Sequence, residues 1–148
     1  MSIKDDLKNA LGVAMKTKDD VSKRSLRLAL SAIKLAEVAK GEALEDMKIF
    51  NILQKEVKTK EETIAEATKA ERSEMIAPLL EEIEVLKRFL PAELSDMELT
   101  EFIDKAITEQ KATSIKQMGL VMKTVIIQVE GRASNDRISK IIKSKLAN

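Results

Sequence analysis

Cysteine, histidine, tyrosine and tryptophan are absent from this 148-residue chain, and glycine (four), proline (two) and phenylalanine (three) are scarce. Each absence excludes something. Without cysteine there are no disulfides and no thiolate ligands, which fits a reducing compartment. Without histidine the commonest general base and the commonest metal ligand are missing. Without tyrosine or tryptophan the usual stacking platforms for single-stranded bases are lost. No apolar run nears the roughly 18 residues that cross a membrane. The start, Met1-Ser2-Ile3-Lys4-Asp5-Asp6, is amphipathic and acidic, and no apolar core of signal-peptide length follows it. The expectation is a cytoplasmic chain with no membrane, no metal and no cofactor.

Alanine, leucine, isoleucine, lysine and glutamate dominate, with 44% apolar and 34% charged residues. That composition predicts an all-α protein, because strands need β-branched and aromatic runs bounded by turn residues. The net charge of +1 conceals an uneven distribution. Residues 1–90 carry 17 basic and 17 acidic side chains, residues 91–110 one against six, and residues 111–148 eight against two. The C-terminal tail is the electropositive part.

Ile3, Leu7, Leu11 and Met15 draw an apolar stripe on a first helix. After the polar break Thr17 to Asp20, Asp19 or Asp20 can cap a second helix. This helix would bury Leu26, Ala29, Leu30, Ile33 and Val38 and stop near Lys40-Gly41. A long third helix starts between Leu44 and Asp46, carries Ile49, Ile52, Leu53, Val57, Ile64 and Ala65, and runs to about Ala70. Pro78 suits the first turn of a fourth helix starting near Ala77, with Leu79, Leu80, Ile83, Leu86, Phe89 and Leu90. A start at Ser73 would instead place Pro78 inside the helix and kink it.

Leu90-Pro91 ends that helix, because the residue before a proline disfavours the α conformation. Ser95-Asp96-Met97-Glu98 is a capping box, with Leu94 and Leu99 placed as a hydrophobic staple. The helix it opens carries Leu99, Phe102, Ile103, Ala106 and Ile107. Ser114-Ile115-Lys116-Gln117 is a second box, opening a helix with Met118, Val121, Met122, Val125 and Ile126. After the turn Glu130 to Ala133, Ser134 or Asn135 caps a last helix bearing Ile138, Ile141, Ile142 and Leu146. The expected architecture is an N-terminal four-helix part with one long helix over residues 1–91, then a small three-helix domain over 92–148.

The run Phe89-Leu90-Pro91-Ala92-Glu93-Leu94-Ser95 resembles the aromatic-Leu-Pro-x-x-Leu-Ser junction of the YqeY family. Met118-Gly119-Leu120-Val121-Met122 is similar to its Met-Gly-x-Val-Met helix, and Gly131-Arg132-Ala133 to its Gly-Arg/Lys-Ala turn. Glu56-Val57-Lys58, Glu62 to Ile64 and Arg72 resemble its long helix. The chain departs from the pattern at Ser134-Asn135, where the family usually has Asp-Gly, and at Lys111-Ala112-Thr113, where Gly-Ala is common. The resemblance covers essentially the whole chain. It implies the four-plus-three helix arrangement and a relation to the tail of GatB, the tRNA-binding subunit of a glutamine-dependent tRNA amidotransferase. In GatB the tail holds tRNA while the chemistry lies in a separate domain, for which this chain has no length. By that association the chain is linked to carbon–nitrogen ligases with glutamine as amido donor. Catalysis by this chain alone is not expected.

The candidate RNA-binding residues are Lys116, Lys123, Arg132, Arg137, Lys140 and Lys143, with Lys145 beside them. Clustered Lys and Arg neutralise phosphate, and helix N-termini offer N–H groups to it. The plainer reading is a solvated face that balances residues 91–110. Lys23, Arg24, Arg27 and Lys34 form a second basic set. Arg27 and Lys34 lie about 40° and 20° from Lys23 on a helical wheel, and an exposed face is the plainer reading here too. Glu81, Glu82 and Glu84 read as a solvated face, Met118 and Met122 as core, Gly119 as a site of close helix packing, and Ser114 as a cap rather than a nucleophile. No Gly-rich phosphate loop, nucleophile elbow or zinc spacing is present. No catalytic residue is assigned. The functional expectation is a non-catalytic module that binds tRNA or another structured RNA, with a protein of the translation machinery as a further candidate partner. The alternative is a protein-interaction adaptor with no RNA role.

Overall fold

The computed structural model describes residues 2–147 and is all-helical. Its helices are α1 (Ile3–Thr17), α2 (Asp20–Lys40), α3 (Asp46–Lys69), α4 (Ile76–Lys87), α5 (Asp96–Gln110), α6 (Met118–Val129) and α7 (Asn135–Leu146), with 3-10 turns at Ser73–Met75 and Ile115–Gln117. The chain divides into two compact units, Met1–Leu90 and Pro91–Asn148.

In the first unit the helix boundaries follow local chemistry. The Ser2 and Asp19 side chains accept the free N–H groups of Asp5 and Ser22 at the starts of α1 and α2. Gly41 ends α2 at φ 82°, a left-handed conformation that costs glycine nothing. The 24 residues of α3 make a rod of about 36 Å. Pro78 is the third residue of α4, where its missing N–H is one of the groups a helix start leaves unbonded anyway. The Ser73–Met75 turn runs directly into α4, so the chain starts to coil at Ser73 without placing Pro78 in a helix interior.

The core of this unit is Leu7, Leu26, Ala29, Ile33, Ile49, Leu53, Val57, Ile83, Val85 and Leu86. Several expected core positions lie outside it. Met15 is exposed and Ala14 is buried instead. A four-residue repeat drifts by about 40° per step, which carries Met15 about 80° from Leu7 while Ala14 stays within about 20° of it. Val38 and Leu80 are exposed because they lie off the core arcs of their helices, about 140° from Ile33 and about 120° from Leu86. Ala65 is exposed and Ala67 takes its place.

Glu82 is the largest departure. It is buried, not solvated, while Glu81 and Glu84 are exposed. Glu82 lies about 40° from Leu86, within the core arc of α4. Its carboxylate takes Arg24 Nε of α2 at 2.6 Å and Lys60 Nζ of α3 at 3.2 Å. Its backbone carbonyl accepts from the Ser25 hydroxyl at 3.1 Å. Lys60 is itself buried, so one carboxylate satisfies charges from two other helices.

The second unit has a wholly apolar centre: Leu94, Leu99, Ile103, Ala106, Ala112, Val121, Val125, Val129, Ala133, Ile138, Ile142 and Leu146. Met118 and Met122 pack against it from its edge. Polar order sits at the boundaries. Ser95 accepts from the Glu98 N–H at 3.1 Å, and Glu98 accepts from the Ser95 N–H at 3.0 Å, closing the capping box. Leu94 and Leu99, flanking it, are both buried as a staple requires. Gln117 Oε1 accepts from the Thr113 and Ser114 N–H groups, and Ser134 caps α7. A Cβ on Gly119 would meet nothing within 4 Å, so that glycine permits no close helix approach.

Candidate nucleic-acid interface

The basic residues of the second unit fall into two groups. Arg132 and Arg137 are committed to its own backbone. Arg132 Nε donates to the Ala92 carbonyl at 3.0 Å, and the Leu94 N–H donates to the Arg132 carbonyl at 2.8 Å. Arg137 Nη2 donates to the Leu94 carbonyl at 2.9 Å and to Asp96 Oδ1 at 2.7 Å. The two guanidinium groups thereby strap the segment entering α5 onto the α6–α7 turn. That turn is tight, with Glu130 and Gly131 both in the left-handed region.

Lys140 and Lys145 are paired as well, with Asp136 at 3.2 Å and Asp104 at 3.0 Å. The first is an exposed i,i+4 pair of small worth, and the second ties α7 to α5. Lys116, Lys123 and Lys143 are exposed and make no ion pair among the described residues. Lys123 lies about 160° from Val125, and Lys143 about 140° from Ile138, so each points away from the core arc of its helix. Three of the six candidate residues thus present uncommitted charge.

Leu120 (64% exposed) and Ile127 (66%) sit two turns apart on the arc of α6 next to Lys123, a solvent-facing apolar pair that the sequence reading missed. The visible signal was Ile126-Ile127 beside Val125, since three consecutive branched residues cannot all face one core.

In the first unit the basic set on α2 is also partly committed. Arg24 is held by Glu82, Lys23 reaches Asp20 at 3.8 Å, and Arg27 and Lys34 are exposed with no ion pair among the described residues. Beside the C-terminal half of α2 a cleft of about 670 Å³ is lined by Lys4, Lys8, Lys34, Leu30, Val38 and Ala43 among others. At its wall Glu37 receives Lys4 Nζ at 2.5 Å and the Leu44 N–H at 3.0 Å. These bonds, the lysine first, hold the Glu37 carboxyl below the usual carboxylate range. Glu98 is lowered by the Ser95 backbone N–H and then its hydroxyl, and Asp19 by the Ser22 hydroxyl and then its N–H.

Among the described residues, no group of three His, Cys, Asp or Glu side chains could hold a metal ion, and no helix is long and apolar enough to cross a membrane. What the geometry presents is a set of exposed lysines on a two-unit helical scaffold. That scaffold has known relatives. The chain belongs to the YqeY family, whose model, described as Yqey-like protein, matches residues 4–146.

Among curated proteins it is 31% identical to "Altered inheritance of mitochondria protein 41, mitochondrial" of Lachancea thermotolerans over 113 residues, covering 74% of this chain and 60% of that protein. The protein of the same name from Vanderwaltozyma polyspora is 28% identical over 152 residues, covering 96% of this chain and 80% of the relative. The one from Saccharomyces cerevisiae is 29% identical over 85 residues, 57% of this chain and 46% of the relative. The chain therefore spans only about 60% of the length of the Lachancea protein.

These names overturn the expectation of a cytoplasmic chain, since the relatives are named as mitochondrial proteins. The absence of cysteine separates oxidising from reducing surroundings and does not single out the cytoplasm.

Proposed function

We propose that this chain is a non-catalytic module that binds tRNA or another structured RNA through its second unit. The observation that carries this reading is that Lys116, Lys123 and Lys143 are exposed and make no ion pair among the described residues. Unpaired ammonium groups release counterions from phosphate without first breaking a bond within the protein. The second unit's one aromatic residue, Phe102, packs against its core rather than standing free to stack on bases, so recognition is by backbone and shape. Arg132, Arg137 and Lys140 are the remaining candidates, each already bonded within the unit. Of these Arg137 contributes least, because its guanidinium already serves Leu94 and Asp96. On this reading any link to glutamine-dependent tRNA amidation, or to a protein of the translation machinery, is that of an RNA-holding part to a catalyst carried elsewhere.

The test is tRNA binding measured across salt concentrations for the wild type and for a K116E/K123E/K143E variant. The expected result is salt-sensitive binding whose log–log slope shrinks by roughly two to three in the variant, with the helical signal unchanged. Binding that is indifferent to salt, or that survives the triple change, would overturn the reading. A second reading, a protein-interaction adaptor, is favoured by the exposed pair Leu120 and Ile127. It is supported instead if L120D/I127D abolishes recovery of a stoichiometric protein partner while tRNA binding is absent from the wild type.

A further inference from the structure

The middle of α2 carries no acid at all. From Val21 to Ala36 the helix has Lys23, Arg24, Arg27 and Lys34 and neither Asp nor Glu. Glu82 of α4 and Asp20 answer Arg24 and Lys23, which leaves Arg27 and Lys34 exposed with no ion pair among the described residues.

The arc beside these cations is apolar and equally uncovered. Leu28 is 49% exposed, and Leu35 and Val38 are each 72% exposed. At about 100° per residue Leu35 falls within about 20° of Leu28, and Val38 lies about 80° round, next to Arg27 and Lys34. The face is therefore an aliphatic strip with a cationic edge, three turns long and interrupted by the exposed hydroxyl of Ser31. Its C-terminal end continues into the cleft, because Lys34 and Val38 line both. There Lys8 adds an exposed ammonium with no ion pair among the described residues, while the two carboxylates lining the cleft are taken, Glu37 by Lys4 and Glu42 by Lys40.

We infer that this face of α2 is a docking surface for an acidic amphipathic helix of a protein partner. Its apolar residues, spaced i, i+3 or i+4, and i+7, would lie on Leu28, Leu35 and Val38, and its carboxylates would meet Arg27, Lys34 and Lys8. Charge complementarity selects the sign of the partner, since the central turns of α2 offer cations only. The aliphatic strip selects protein over nucleic acid, because a phosphate backbone would dehydrate Leu28 and Leu35 and give them nothing to pack against. A second copy of the chain is a poorer occupant. Self-association through this face sets Arg27 and Lys34 against their own copies. The acid-rich helix of the chain, α5, buries Leu99, Ile103 and Ala106 and leaves Met97 as its exposed large hydrophobic residue. This inference concerns the first unit and does not rest on the RNA reading of the second.

The experiment is selection from a displayed library of helical peptides on the full chain, counter-selected on a L35D/V38D variant. Both substituted positions are exposed, and a helical spectrum like that of the wild type confirms that the variant is folded. Enriched peptides should be net negative, with apolar residues at i, i+3 or i+4, and i+7. They should bind wild type at least tenfold more tightly than either L35D/V38D or R27E/K34E. Failure to enrich any such peptide would overturn the proposal. So would enrichment of neutral or basic peptides, or binding indifferent to either variant. Concentration-dependent self-association abolished by L35D/V38D would assign the face to a second copy, and RNA binding abolished by L35D/V38D would assign it to nucleic acid. Either outcome would equally sink the inference.

Discussion

The two units solve the same packing problem differently. The first buries a carboxylate and an ammonium among its apolar side chains, with Glu82 joined to Lys60 and to Arg24. The second keeps its centre free of charge and spends its polar groups at element boundaries, in the Ser95–Glu98 box and the Arg132 and Arg137 straps. A buried ion pair rarely adds net stability over an apolar replacement, but removing one member of it is costly. It does discriminate among arrangements, because only one register of α2, α3 and α4 brings all three charges together. Short helices with an apolar centre need another source of register, and the straps from residues 92–94 to the α6–α7 turn supply it. Specificity thus sits inside one unit and at the edge of the other.

The comparison breaks most visibly at Glu82. Glu82→Ala should strand Lys60 as a buried, uncompensated charge and cost the first unit about 3–5 kcal/mol. The double change Glu82→Leu with Lys60→Met should recover much of that. We also propose that the units are separate folding domains. Peptide-resolved hydrogen exchange under denaturant checks both points, with lost protection expected over α1 to α4 and none over α5 to α7. Equal loss in both would show one cooperative unit and defeat the division.

A smaller effect tests the boundary logic of the second unit. Ser95→Ala removes the cap of α5 and should cost about 1 kcal/mol, read from protection of α5 amides. The pH dependence has a defined sign. Glu98, Glu37 and Asp19 are all lowered in the folded chain, so their stabilisation is present above the ordinary carboxylate range and lost as pH falls through the lowered values. Glu98→Gln keeps the acceptor and removes the titration, so acid should then weaken the second unit less than in wild type.

The smallest expected effect is a gain. Lys111 ends α5 at φ 54°, in the region that strains a side chain bearing a Cβ. Lys111→Gly should stabilise by about 0.5–1 kcal/mol, measured as a shift in the denaturant midpoint at unchanged slope. A loss would mean that the lysine side chain makes a contact worth more than the strain.

Much of the fold was legible because it is local. Asp19, Gly41, Ser95 and Ser134 act on N–H or carbonyl groups within a few residues of themselves, so their roles can be read from a window of sequence. The candidate site was legible only in part. Its lysines could be named, but not which cations were already taken. Arg132 and Arg137 find carbonyls 40 and 43 positions away, and no spacing rule anticipates such partners. Glu82 carried a readable warning, four residues from Leu86 and on the same face, although its two cations could not be foreseen. The apolar strip Leu28, Leu35 and Val38 was similarly hidden. Helical period says which residues share a face, while only the neighbouring helices decide which face is covered.

By itself, then, the sequence determined the helices and their caps, because backbone propensity and hydrogen-bonding reach are short-ranged. Tertiary structure alone decided which charges are buried, which serve as straps and which remain free. That assignment depends on groups brought together from distant helices, where desolvation makes an unpaired charge expensive and a paired one permanent.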